Sequence, residues 1–199
     1  MKRLHRPDLF CWSSFQEPLD IDFNSFLWTT KGANVLIDPL PLSAHDEQHL
    51  RVLGGAQWIV VTNSFHVRGT KEIGERFGAK IAGPTAEREG FPLRCERWLR
   101  DNDDVVPGLR VRELDGSKTP GELALVLEET TLIAGDLIRA HCADSLILLG
   151  PDKLKSPEKA KASIARLLEL HPRIDTILVG DGWFTFRHGG GLLRTLIRT

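Results

Sequence analysis

One stretch of the chain reads Ile59-Val60-Val61-Thr62-Asn63-Ser64-Phe65-His66-Val67-Arg68-Gly69, and it is the strongest local indicator of the fold. The run from Trp58 to Val61 is short and continuously apolar, as expected for a strand buried on both faces. Polar residues follow, and the segment from His66 to Phe77 has the pattern of a helix that ends at Gly78. The stretch therefore predicts a buried strand that leads through a polar loop into a helix.

The composition is that of an ordinary globular protein, with 199 residues, 41% hydrophobic and 27% charged, and a formal net charge of −1. Because the charges are well mixed and form no basic stripe, nucleic acid is not expected as a partner. Cys11, Cys95 and Cys142 are odd in number and far apart, which predicts reduced thiols and a cytoplasmic location. No secretory signal follows Met1 and no segment reaches the roughly 20 apolar residues of a membrane span, so no membrane association is expected.

The apolar pattern predicts two β-sheets packed together with helices on the outside. Strand-like segments come first as hairpins and then alternate with helices, twice over, which suits two packed sheets better than one doubly wound sheet. The predicted strands of these sheets are Val35–Ile37, Trp58–Val61, Glu122–Leu127, Thr131–Gly135 and Ile174–Gly180. Ser43 and Ser156 are predicted to cap the helices that follow them, and a final helix is predicted from Gly191 to Thr199. Because no long linker or repeat interrupts the pattern, residues 1–199 are predicted to form a single domain.

Five segments, in the same chain order, resemble motifs of the metallo-β-lactamase superfamily. Residues Val35 to Pro39 are similar to an early strand that ends in a structural aspartate. Residues Thr62 to Gly69 have the frame of the metal-binding motif Thr-His-x-His-x-Asp-His, and Leu114 to Leu123 resembles the segment Gly-His-Thr-Pro-Gly-Ser. Residues Leu132 to Leu137 match the strand whose aspartate bridges two metals, and Val179 to Gly182 resembles the final Gly-His-Gly. The resemblance implies an α+β fold, the four-layer αββα sandwich that is metallo-β-lactamase-like.

The same resemblance implies that most of the family's metal ligands are missing. The ligand positions of the first motif and of the two later ones hold, in order, Asn63, Phe65, Val67, Arg68, Lys118 and Asp181. Among the family's ligand positions, Asp136 is retained and Asp181 is a carboxylate replacement. A stable zinc site needs three or four imidazole, thiolate or carboxylate ligands, and a lysine or arginine repels a cation. We therefore expect no bound metal, no other cofactor and no ordinary metallohydrolase activity, and we assign no catalytic residue.

A ligand site is the function that these substitutions favour. The residues assigned to it are Asn63, His66, Arg68, Lys118, Asp136 and Asp181. In the resembled fold Arg68, Lys118, Asp136 and Asp181 converge at one end of the sandwich, where two cations oppose two carboxylates. One interpretation is a pocket for a small molecule or anion, with Arg68 as a forked donor and Lys118 as a point charge. The other is a salt-bridge network that only fills the old metal site, which makes the protein a pseudoenzyme.

Two further hypotheses stay open at the level of sequence. A hydrolase with a rearranged mononuclear metal site would use His66, Asp136 and Asp181, with His141 as an additional candidate ligand. Cys142, next to His141, would act as a nucleophile only with a nearby base and a lowered pKa. A purely structural or interaction protein, including a homodimer, is the remaining class.

Overall fold

The computed structural model describes residues 1–198, in which two β-sheets pack face to face. The strands are β1 (Lys2–Arg3), β2 (Leu9–Gln16), β3 (Ile21–Trp28), β4 (Val35–Ile37), β5 (Trp58–Val60), β6 (Lys80–Pro84), β7 (Arg97–Leu99), β8 (Leu109–Leu114), β9 (Glu122–Leu127), β10 (Thr131–Ala134), β11 (Ile138–Arg139), β12 (Ile147–Leu148) and β13 (Thr176–Val179). The helices are α1 (Ala44–Val52), α2 (Thr70–Phe77), α3 (Pro157–Leu170) and α4 (Gly189–Leu196). Short 3-10 helices span Glu17–Leu19, Ser64–His66 and Thr85–Gly90.

The two sheets differ in size and in strand direction. The first has seven strands in the order β1 to β7, antiparallel from β1 to β4 and parallel from β4 to β7. The second has four strands in the order β13-β10-β9-β8, in which β10 is antiparallel to β9 and parallel to β13. Strands β11 and β12 pair with each other in a small separate ribbon. In each sheet, therefore, parallel strands bring their carboxyl ends to a common edge.

Three apolar clusters hold the layers together. The central cluster joins Phe26 and Ile37 of the first sheet to Leu125 and Leu178 of the second. Leu50 of α1 and Ile73 of α2 belong to a cluster on the outer face of the first sheet, whereas Ile164 of α3 and Leu193 of α4 belong to one on the outer face of the second. This arrangement is the four-layer αββα sandwich, and it confirms the fold class predicted from the sequence. Among residues 1–198, no helix is both long and apolar enough to cross a bilayer.

The predicted strands are present, but two helix boundaries were wrong. Ser64 to His66 form a 3-10 helix and the α-helix begins only at Thr70, because Arg68 has a φ of 34°, in the left-handed region that interrupts a right-handed helix. The last helix begins at Gly189 rather than Gly191. The predicted end of that helix, Thr199, lies outside the described residues.

A single carboxylate, that of Asp38, ties β4 to the loop after β5. Its Oδ1 accepts the backbone N–H of Thr62 at 2.7 Å, and its Oδ2 accepts the Thr62 hydroxyl at 2.6 Å. The same Oδ2 lies 2.7 Å from Nδ1 of His66. Asp38 is buried and has a φ of 47°, a left-handed conformation that aspartate tolerates better than most residues. The ends of two parallel strands are thus joined through one side chain.

Removal of the Asp38 charge is predicted to lower stability and flatten its pH dependence. Burial opposes the charged form of His66, but the charge of Asp38 and hydrogen bonds to Asp136 and Asp38 raise the pKa of the ring to about 9, above its ordinary 6.5. The protonated ring therefore contributes stability that is complete below about pH 6.5 and is lost as pH rises through about 9. The wild-type free energy of unfolding should fall by roughly 3 kcal/mol across this window.

In Asp38→Asn the fall across this window should be much smaller, and at pH 6 the variant should be roughly 2–4 kcal/mol less stable than wild type, because charge-assisted hydrogen bonds are lost. Urea unfolding at a series of pH values measures both effects. Asp144→Asn is the matched control, since Asp144 is also left-handed, with a φ of 54°, but exposed. A wild-type stability that is flat or rising between these pH values would contradict the prediction.

Candidate functional site

The two sheets meet at the end of the sandwich where β4, β5, β10 and β13 finish. The backbone N–H of Leu123 donates to the carbonyl of Thr62 at 2.8 Å, which joins the start of β9 to the loop after β5. Two glycines permit the close approach of these segments. A Cβ on Gly135 would lie 2.7 Å from Oγ1 of Thr62, and one on Gly180 would lie 3.0 Å from Cε1 of His66. Larger residues at these two positions would force the sheets apart.

His66 lies in the 3-10 helix at the carboxyl end of β5, and its ring is buried. Asn63 caps this helix, since its side-chain oxygen accepts the backbone N–H of Phe65 at 2.9 Å. While Nδ1 of the His66 ring faces Asp38, its Nε2 lies 3.3 Å from Oδ2 of Asp136 and 3.3 Å from a guanidinium nitrogen of Arg68. The ring therefore connects a carboxylate of the first sheet to one of the second.

Oδ2 of Asp136 is the point at which three segments converge. Besides His66, it contacts Nζ of Lys118 at 2.8 Å and accepts a hydrogen bond from Nδ2 of Asn63 at 3.0 Å. Burial alone would raise the pKa of Asp136, but the hydrogen bond and charge of His66, followed by those of Lys118, hold it well below its usual range. Lys118 also lies over the ring of Phe65, 4.2 Å from its centroid. The charge of Asp136 is thus compensated by His66 and Lys118.

Asp181 forms the second half of the network through arginines. Arg139 donates to its Oδ2 at 2.6 Å, and Arg68 lies 3.6 Å from its Oδ1. The guanidinium of Arg68 also donates to the backbone carbonyl of Asn24 at 2.8 Å and stacks on Phe23 at 5.0 Å. These contacts together fix the position of the Arg68 guanidinium group.

The six residues assigned to the ligand site from sequence belong to one connected network. They are Asn63, His66, Arg68, Lys118, Asp136 and Asp181. Ligand binding by them stays a prediction. Of the residues of the mononuclear hypothesis, His66 and Asp136 are in contact, whereas the contacts of Asp181 within residues 1–198 include two arginines.

Two residues of the network were missed by the sequence analysis. Arg139 follows Asp136 in the next short strand, and its partner Asp181 lies 42 positions away in sequence, so no local pattern identifies the pair. Glu122 begins the buried strand β9; its carboxylate accepts the Ser117 hydroxyl and the backbone N–H of Leu137, the latter at 2.7 Å. Burial, followed by the charge of Asp136, raises the pKa of Glu122 to about 7. The sequence signal that could have identified Glu122 is a glutamate in an otherwise apolar predicted strand.

His141 and Cys142 lie beside the network rather than in it. Both side chains are exposed, and His141 lines an open groove of about 530 Å³ together with Asn24, Gly182 and Trp183. Burial and the positive charge of Arg139 lower the pKa of His141. The three cysteines are unpaired thiols, as predicted.

The residues present do not fit the dinuclear metal centre of the resembled enzymes. Within residues 1–198, no group of three or more histidine, cysteine, aspartate and glutamate side chains is placed to hold a metal ion. Phe65 and Val67 have no donor atom, and the ammonium group of Lys118 lies 2.8 Å from Oδ2 of Asp136, where it would repel a metal ion. Two hydrolytic metals need several supplied ligands around them, and this set of side chains supplies too few.

Comparisons with known proteins agree with the architecture. Among solved structures, the metallo-beta-lactamase from Pontibacter korlensis superimposes with a TM-score of 0.73 at 18% identity, covering 96% of this chain and 97% of that one. The metallo-beta-lactamase FIM-1 from Pseudomonas aeruginosa, in its mono-zinc form, gives a TM-score of 0.73 at 15% identity, covering 96% and 90%. At these identities the likeness concerns the fold alone.

Sequence comparison extends the likeness to the family. A hydroxyacylglutathione hydrolase from Acidiphilium cryptum (strain JF-5) is 29% identical over 160 residues, which cover 78% of this chain. The match spans only 63% of the length of that relative. A sequence profile of the Metallo-beta-lactamase superfamily matches residues 1–199, the whole chain. With the αββα sandwich and the matching motif frames, this profile establishes that the chain belongs to the metallo-beta-lactamase superfamily.

Proposed function

We propose that this chain is a binding member of its superfamily, in which an ion-pair network replaces the dinuclear metal centre and the cleft binds a small anionic ligand. Hydrolysis of the kind carried out by the metal-dependent relatives is not part of this proposal. The chain would accordingly be a pseudoenzyme with respect to that chemistry.

The observation that carries the proposal is the ion pair between Lys118 and Asp136. Two carboxylates brought together in a partly buried cleft need compensating positive charge. In a metal-dependent enzyme the metal supplies it, whereas here Lys118 supplies it to Asp136 at 2.8 Å, and Arg139 supplies it to Asp181 at 2.6 Å. A metal ion would have to compete with these built-in cations for the same oxygens.

The positive charge of the network and the unused N–H donors of its cations support an anionic ligand. Arg68, Lys118 and Arg139 face Asp136 and Asp181, while Asp38 is paired with His66. One positive charge is therefore in excess while the carboxyl of Glu122, whose pKa is raised to about 7, is protonated. The side chain of Lys118 is 21% exposed and carries three N–H donors, of which Asp136 takes one. The buried Nε of Arg139 has no hydrogen-bond partner among residues 1–198.

The alternative function is hydrolysis at a rearranged mononuclear site around His66, Asp136 and Asp181. Its support is the hydrolase name of the curated relative and the contact between His66 and Asp136. Both ring nitrogens of His66 already face other side chains, so the ring would have to leave its partners to bind a metal. A cytoplasmic location and a homodimer stay predictions.

The proposal predicts that the purified protein lacks a bound metal. Protein purified under mild conditions, without added chelator, should contain no stoichiometric zinc, iron or manganese, because cationic side chains already neutralise the carboxylates of the cleft. Elemental analysis of the purified protein, before and after incubation with zinc, measures this. About one metal ion per chain, lost in His66→Ala, would replace the proposal with the hydrolase alternative.

Anion binding is predicted to depend on Lys118. Titration with inorganic phosphate and with acetate, followed by NMR of the labelled protein, should show saturable shifts around the cleft in the wild type. Lys118→Met should lose these shifts, since an accessible ammonium is the expected anchor. Lys153→Met, a change at an exposed lysine outside the network, is the control and should behave as wild type. Binding that survives Lys118→Met, or no saturable binding at all, would count against the proposal.

A double-mutant cycle tests whether the network couples as its geometry predicts. Lys118→Met alone should destabilise by more than the roughly 1 kcal/mol of an exposed ion pair, because Asp136 is then left buried with less compensation. The combination Lys118→Met and Asp136→Asn should cost roughly 1–3 kcal/mol less than the sum of the single changes. The comparison cycle with Asp181→Asn should show a smaller coupling energy, because the ion pairs of Asp181 are with arginines and it is linked to Lys118 only through other members of the network. Equal coupling energies in the two cycles would mean that Lys118 and Asp136 do not form a specific pair.

A further inference from the structure

We propose that a second subsite beside Glu87 accepts a positively charged group, so that the ligand anchored at Lys118 is a small zwitterion. This inference rests on the proposed anion-binding function and specifies its ligand class. An aliphatic amino carboxylate is the simplest molecule of this kind.

The subsite is a hollow of about 210 Å³ next to the ion-pair network. Three segments form it: the 3-10 helix Thr85–Gly90, the start of the 3-10 helix Ser64–His66, and the loop that contains Pro120. Since a water molecule takes up about 30 Å³ in the liquid, the hollow has room for an ammonium or guanidinium group with its nearest carbons.

Glu87 supplies the observation that points to a bound group. Its side chain lines the hollow and is only 7% exposed. One carboxylate oxygen, Oε2, accepts the backbone N–H of Ser64 at 2.9 Å, but the other, Oε1, is buried without a hydrogen-bond partner among residues 1–198. A buried polar atom without a partner costs free energy, and such atoms are rare in folded proteins. A donor brought by a ligand would remove this cost.

The charge of the lining determines which donor is accepted. Among residues 1–198, the side chains that line the hollow include two glutamates, Glu87 and Glu89, and no lysine, arginine or histidine. An ionised carboxylate only accepts hydrogen bonds, so its partner must be an N–H or O–H group, and a cationic N–H forms the strongest such bond. The ammonium of Lys118 is already engaged, 2.8 Å from Asp136. The hollow is therefore suited to an external cation.

Phe65 connects the two charged subsites. Ser64 bonds to Glu87 on one side, and the ring of the next residue, Phe65, lies 4.2 Å from Nζ of Lys118 on the other. Ser64 and Phe65 are consecutive residues, so Glu87 and Lys118 contact the same short segment of the chain. The Phe65 side chain is 64% exposed and, with Pro120, offers an apolar surface for the carbon chain between the charges.

The test compares amino carboxylates with probes of the same length that lack the ammonium group. Wild-type protein is titrated with γ-aminobutyrate and ε-aminocaproate, and with butyrate and caproate, by ligand-observed NMR. At least one amino carboxylate should bind roughly tenfold or more tightly than its matched carboxylate, which is the gain expected for one charge-assisted hydrogen bond. Equal or weaker binding of both amino carboxylates would overturn the inference.

A variant of Glu87 tests whether this residue causes the tighter binding of the amino carboxylates. Glu87→Gln should abolish the preference for the ammonium group and leave the affinity for butyrate and caproate unchanged, because glutamine still accepts the Ser64 N–H. Glu169→Gln, at an exposed glutamate on α3, is the control and should keep the preference. If Glu87→Gln keeps it as well, the inference is wrong; if Glu87→Gln does not fold, the wild-type comparison alone decides.

The outcomes also separate this inference from the function on which it rests. Lys118-dependent binding of butyrate and caproate without any gain from the ammonium group would leave the anion site standing and remove the subsite. Failure of all four probes and of inorganic phosphate to bind would remove both.

Discussion

The oxygen Oδ2 of Asp136 joins the two halves of this protein. Asp136 follows β10 of the second sheet, yet His66 and Asn63, which contact this oxygen, come from the loop after β5 of the first sheet. Lys118 reaches it from the loop before β9. Because His66 is also bound to Asp38, one chain of contacts runs from a carboxylate of the first sheet to a carboxylate of the second. The geometry of the cleft depends on this chain.

A buried network of charges is costly unless every charge has a partner. Removing ions from water carries a large desolvation penalty, and the loss of one partner leaves the other buried and uncompensated. Single substitutions in the network are therefore expected to destabilise the protein. Its lysine and arginines balance the charge of the carboxylates, as metal ions do in a metal-dependent enzyme. The network differs in one chemical respect, since an ammonium or guanidinium group has no open coordination position at which to activate water.

The cleft has different surroundings on its two sides. On one side an open groove carries the exposed ring of Trp183 and the imidazole of His141. On the other, Lys118 lies over the ring of Phe65, and Glu87 accepts a hydrogen bond from the preceding residue, Ser64. A ligand recognised by charge would meet positive charge at the centre and negative charge at one edge. This polarity favours small polar ligands with both kinds of charge over simple hydrophobic ones.

Local patterns in the sequence determined the layers of the fold. The continuous apolar run from Trp58 to Val61 predicts a strand buried on both faces, and the segment from Glu122 to Leu127 predicts a strand of a hairpin. Ser43 and Pro157 mark helix starts, because these signals act over a few neighbouring residues. The start of the helix at Thr70 was not predictable in this way. The left-handed backbone at Arg68 occurs where the Arg68 guanidinium also reaches the carbonyl of Asn24 and the ring of Phe23, 44 and 45 positions earlier in the chain.

From the resemblance of its motif frames, the sequence by itself also predicted which residue types occupy the family's metal-ligand positions. Only the tertiary structure decided how these residues pair. Lys118 meets Asp136 rather than Asp181, Arg139 is the closer cation to Asp181, and within residues 1–198 one oxygen of Glu87 has no hydrogen-bond partner. The physical reason is that ion pairing and burial depend on distances between segments far apart in sequence, and these distances are set only when the two sheets pack together.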